Sequence, residues 1–90
     1  MEFIGLNKLN KGDRGIITKI DESILPHNVG LASGEVESRL LEMGFIEGAQ
    51  LQVMHLGTIG RDPIAVRINN SSSIIALRKN EASTIMLERI

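Results

Sequence analysis

The chain has 90 residues, a size for one domain spanning 1–90. Ten basic residues against eleven acidic ones leave a net charge of −1, so no cationic surplus exists for phosphate contacts, which speaks against nucleic acid as a partner. No cysteine is present, which excludes disulfides, thiolate zinc sites and thiol catalysis.

A chain this short buries only roughly 60–65% of its unfolded surface, so every apolar strand position counts. Phe3 and Phe45 are its only aromatic residues, so the core is expected to be aliphatic. No run of about 18 apolar residues is available to span a bilayer. The opening Met1-Glu2-Phe3-Ile4-Gly5 lacks the basic start and apolar stretch of a signal peptide. A cytosolic location without direct membrane insertion is expected.

From the N-terminus, Leu6, Leu9, Gly12 and Gly15 recur at a spacing of three, and the leucines suit one helical or 3₁₀ turn against the core. Gly12-Asp13 reads as a turn. Arg14 to Ile20 reads as the first strand, since Ile16, Ile17, Thr18 and Ile20 are β-branched. Asp21 to Gly34 holds Pro26, Asn28, Gly30 and Ser33, which are loop formers, among apolar Ile24, Leu25, Val29 and Leu31. It is expected to fold back on the domain as a loop with one helical turn.

Glu35 to Met43 reads as the one clear helix, with Ser33 as its cap and Glu35 and Glu37 at its positive end. Val36, Leu40 and Met43 fall on one face, which predicts all three in the core. Gly44 stands where a left-handed residue ends a helix, and Phe45 is placed to touch Leu40. Gln50 to Leu56 alternates, placing His55 on the face of Leu51 and Val53 and Met54 outward. Gly57 to Asp62 reads as a turn. Pro63 to Ile68 alternates again with Ile64, Val66 and Ile68 inward, and Asn69-Asn70-Ser71-Ser72 closes a hairpin. Ser73 to Arg78 is the next strand, Asn80 to Ser83 a helical turn capped by Asn80, and Ile85 to Ile90 the last strand with Ile85 and Leu87 inward.

About five short strands, a helix between the first and second, and a helical turn before the last predict a mainly β, small closed barrel, since closure removes exposed sheet edges.

The run Arg39-Leu40-Leu41-Glu42-Met43-Gly44-Phe45-Ile46-Glu47-Gly48 resembles the helix and turn of ferrous iron transport protein A (FeoA). Asp62-Pro63-Ile64-Ala65-Val66-Arg67, Ile75-Ala76-Leu77-Arg78-Lys79-Asn80-Glu81-Ala82 and the opening Leu6, Leu9, Gly12 and Gly15 are similar too. The resemblance covers nearly the whole chain and rests on the order and spacing of these runs. It implies an SH3-like barrel. It also implies an accessory cytosolic binding module, not an enzyme, for ferrous iron uptake with the membrane permease FeoB and its GTPase domain. Two departures stand out: Ser38 replaces the usual basic residue before Arg39, and Asp21 to Gly34 is longer than usual.

His55 and His27 are the candidate ligands for Fe²⁺ or another divalent transition metal, because imidazole suits such ions. Against them, no second ligand stands at a metal-site spacing, and no resident cofactor is implied. That leaves two further readings open: a sensor that binds Fe²⁺ or Zn²⁺ directly, and an SH3-like interaction domain of unrelated role. Asp62-Pro63 and Glu81 read as turn and helix-start chemistry. Gly57-Thr58-Ile59-Gly60 resembles a phosphate loop only superficially, lacking the Lys-Ser/Thr ending. No nucleophile, base and orienter stand together. Arg39 and Glu42 on the helix and the outward Met54 are the expected contacts with FeoB. A homo-oligomer is compatible with the sequence.

Overall fold

The computed structural model describes residues 3–24 and 34–90. Six strands form one antiparallel sheet: β1 (Phe3–Gly5), β2 (Arg14–Ile20), β3 (Gln50–Ile59), β4 (Asp62–Ile68), β5 (Ile75–Leu77) and β6 (Ile85–Arg89). Helix α1 (Glu35–Glu42) lies between β2 and β3, and α2 (Lys79–Thr84) lies between β5 and β6. Leu6–Lys8 and Glu22–Ile24 are 3₁₀ turns, as the leucine spacing and the expected helical turn in the loop required.

The strand order is β1-β6-β2-β3-β4-β5. This corrects two expectations. There are six strands, because Phe3–Gly5 pairs with β6 through Phe3↔Glu88 and Gly5↔Met86. A piece this short has no alternation to announce it. The sheet is also not closed: β1 and β5 are its ends and do not pair. Helix α2 packs against the first 3₁₀ turn, β1 and β4, between the two ends.

The core is aliphatic around one ring. Leu6, Leu9, Leu40, Phe45, Val53, Ile64, Val66, Ile85 and Leu87 have no exposed surface, and Phe3 by contrast is 59% exposed. Helix α1 ends as its sequence demands. Gly44 takes φ +102°, its N–H donates to Leu41 O at 3.0 Å, and the Phe45 N–H donates to Leu40 O at 3.0 Å. These two bonds satisfy carbonyls that a helix end leaves open, and they drive Phe45 into the core beside Leu40.

Met43 is a correction. It is the residue at which α1 ends, 37% exposed, and Phe45 fills the core place expected of it because the turn at Gly44 reverses the chain. The helix starts differently too. Ser33 lies outside the described residues; Gly34 precedes the helix with no side-chain cap, and the Val36 N–H instead donates to Glu22 Oε1 at 2.8 Å.

Strand β3 is longer than expected and runs to Ile59, so the turn shrinks to Gly60 and Arg61, both at φ +63°. The strands approach so closely that a Cβ on Gly57 would lie 2.0 Å from Asp62 O, which only glycine tolerates. Strand β5 is shorter than expected. Helix α2 starts at Lys79, with Arg78 as the residue before it. Its end needs nothing from Asn80, because the Lys79 N–H donates to Asp62 Oδ1 at 3.0 Å and the Arg78 N–H to Glu81 Oε1 at 3.1 Å.

Candidate functional site

Helix α1 and β2 flank a groove of about 170 Å³. Its floor is Ile17 and Phe45, both buried; Ile20 and Leu41 form apolar walls, and Lys19, Glu37 and Glu47 stand at the rim. The end of α1 beside it is unusually apolar for a surface. Leu41 is 43% exposed, Met43 37% and Ile46 50%. Leu41 falls off the stripe of Val36 and Leu40, and Ile46 follows a buried residue, so neither stood out in the sequence. The signal was present: one helix end carries more apolar residues than one buried stripe can absorb.

The polar candidates on α1 sit differently from one another. Arg39 Nη2 pairs with Glu81 Oε2 at 3.1 Å, so α1 is tied to α2; the Arg39 side chain stays 54% exposed. Glu42 is exposed in the last turn of α1. Met54 lies on β3, half-buried, and is not brought together with them on one element.

His55 is a correction. It does not share the face of Leu51 and Val53. Val53 pairs with Val66 and His55 with Ala65, so Met54 is an extra residue in a β-bulge. The bulge inverts the alternation: His55 is exposed and Leu56, opposite Ile64, packs on the core. His27 lies outside the described residues. Among the described residues no group of three or more His, Cys, Asp or Glu could hold a metal ion.

Two carboxylates are held below their ordinary value of 3.8. The backbone N–H of Asn10 lowers Asp13 most, aided by the Arg89 guanidinium, 2.8 Å away. The hydroxyl and N–H of Ser23 lower Asp21. Both acids fasten turns: Asp13 ties the 10–13 turn to β6, and Asp21 stands at the start of the second 3₁₀ turn. Neither belongs to the groove.

A family model, the FeoA domain, matches residues 4–89. The chain belongs to the FeoA domain family. Among its relatives, a Porphyromonas gingivalis Fe(2+) transport protein A/Fe(2+) transporter FeoB fusion protein is 29% identical over 94% of this chain. The FeoA-family chain spans 8% of that fusion protein's length. The solution structure of FeoA from Chlorobium tepidum is 30% identical, with a TM-score of 0.74, over 97% of this chain and 70% of that one. FeoA of Stenotrophomonas maltophilia, complexed with zinc and described as a procaryotic SH3 domain protein, is 21% identical with a TM-score of 0.73. The match covers 94% of this chain and 89% of that one, and at this identity it establishes the fold alone. The expected SH3-like fold is therefore the observed one. No helix among the described residues is long and apolar enough to cross a membrane.

Proposed function

We propose that this FeoA-family chain is an accessory binding module for ferrous iron uptake that docks on the cytosolic part of a FeoB-type permease through the C-terminal end of α1. One observation carries the reading: Leu41, Met43 and Ile46 are exposed together at that end, beside the apolar groove over Ile17 and Phe45. Exposed apolar side chains rimmed by charge suit a protein partner. Arg39 and Glu42 supply that charge. The Porphyromonas gingivalis relative, in which the two transport proteins are fused, supports the choice of partner.

The role is binding rather than catalysis. The conspicuous surface feature is an apolar one. Glu22 serves the fold at the start of α1, and Arg39, though paired with Glu81, stays exposed enough to meet a partner. Direct metal sensing is the weaker reading, because His55 stands exposed on β3 opposite Ala65 and no acid among the described residues pairs with it. The test is an NMR titration of the labelled chain with the isolated cytosolic domain of FeoB, with and without guanine nucleotide. Shifts centred on Leu41, Met43 and Ile46 are expected. An unperturbed spectrum at high micromolar partner would contradict the reading.

A further inference from the structure

The outward face of the sheet carries a second polar feature, which shares no residue with the α1 groove. Arg14 on β2 lies directly opposite Gln52 on β3, and Gln52 lies opposite Arg67 on β4. Adjacent strands run about 4.8 Å apart, so the two arginines stand about 10 Å apart at the backbone with a glutamine between them. Arg67 Nη2 donates to Gln52 Oε1 at 3.0 Å, and Gln52 Nε2 donates to Gly12 O at 3.4 Å.

Neither arginine is in an ion pair among the described residues. The ion pairs among the described residues join Lys19 to Asp21, Arg39 to Glu81 and Arg89 to Asp13. Asp13, next to Arg14 in the chain, is thus taken by Arg89. Glu88 lies opposite Ile16, one diagonal step from Arg14, and forms no ion pair with it. Arg67 Nε is buried with no hydrogen-bond partner among the described residues, so only its Nη groups are open to a ligand.

Arg14, Gln50, Gln52, Arg67 and Asn70 line one small notch of about 10 Å³, room for about one water-sized oxygen. Apolar residues flank it. Ile90, whose N–H donates to Arg14 O, is 53% exposed, and Ile74, just before β5, is 58% exposed.

We propose that Arg14 and Arg67, set either side of Gln52, form a docking point for a carboxylate side chain of a partner protein, with Ile74 and Ile90 as its apolar flanks. The guanidinium fork matches a carboxylate in shape and charge. The carboxylate is received end-on by the Nη hydrogens, since Arg67 Nε is out of solvent reach. An acidic residue with apolar neighbours can meet an isoleucine as well as the arginines, whereas a free inorganic anion makes no use of the isoleucines.

The test follows the arginine side-chain N–H signals of the ¹⁵N-labelled full chain at constant ionic strength. Three probes are titrated: a blocked tetrapeptide with two glutamates between two leucines, its glutamine counterpart, and inorganic phosphate. Saturating shifts at Arg14, Gln52 and Arg67 are expected with the glutamate peptide alone. Arg14→Gln and Arg67→Gln should each weaken that binding about tenfold, the loss typical of a charge-assisted pair. Should Arg67→Gln not fold, the exposed Arg14→Gln decides alone. Equal response to the glutamine peptide, or drift without saturation, overturns the proposal. Tighter saturation by phosphate overturns it too, in favour of a phosphate ligand.

Discussion

Arg39 on α1 and Glu81 on α2 meet at 3.1 Å, and the same Glu81 carboxylate accepts the Arg78 N–H that opens α2. One acid therefore joins the two helices, which are separated in the chain by β3, β4 and β5. Helix α1 is thus held at two places, by this pair from Arg39 and by Glu22 at Val36, near its start.

Because the Arg39 side chain is 54% exposed, its pair contributes below about 1 kcal/mol. Arg39→Gln should leave the thermal unfolding midpoint nearly unchanged and weaken binding to the FeoB cytosolic domain. Glu81→Ala also removes a helix-end acceptor and should cost about 1 kcal/mol in urea denaturation.

Gly44→Ala should destabilise the protein by about 1–2 kcal/mol, the cost of a side chain in the left-handed region. Space is not the issue, because the added Cβ would sit 3.6 Å from Ile68 Cδ1, an ordinary contact. Denaturant midpoints of Gly44→Ala and Gly44→Asn check this, with asparagine the milder change.

Phe45 and Leu41 are predicted to separate folding from docking. Phe45 is fully buried, so Phe45→Ala should cost about 3–5 kcal/mol, much of the margin of a small domain. Leu41→Ser, at a residue 43% exposed, should change stability by about 0.5 kcal/mol or less yet impair partner binding. Circular dichroism melts and the partner titration, run on both variants, distinguish the two effects.

Local chemistry was legible and long-range chemistry was not. Strand β2 and the Gly44 stop were read correctly because β-branching and a glycine after a helix act over a few residues. The bulge at Met54 defeated the reading of His55, since period-two alternation gives no sign of an inserted residue. The caps from Glu22 and Asp62 reach across 14 and 17 residues, which no spacing rule announces. The apolar end of α1 is half visible in the sequence: the helical stripe predicts Met43 in the core, and its exposure follows from the turn that buries Phe45.

Stability should fall in acid for a stated reason. Asp13 is held below 3.8 by the Asn10 N–H and then by Arg89. A group depressed on folding contributes fully above its unfolded value and loses that contribution as pH falls through its folded value. Unfolding free energy should therefore decline below about pH 4, and Asp13→Asn should flatten part of that decline. Urea curves of both proteins between neutral pH and pH 3 test it.

The C-terminal end of α1 is the surface proposed to meet FeoB. Titrating the ¹⁵N-labelled chain with the FeoB cytosolic domain reads that surface directly. Shifts gathered on Leu41, Met43 and Ile46, with Arg39 and Glu42 at their edge, and lost in Leu41→Ser, are the predicted result. No shifts, or shifts confined to strands away from α1, would contradict it.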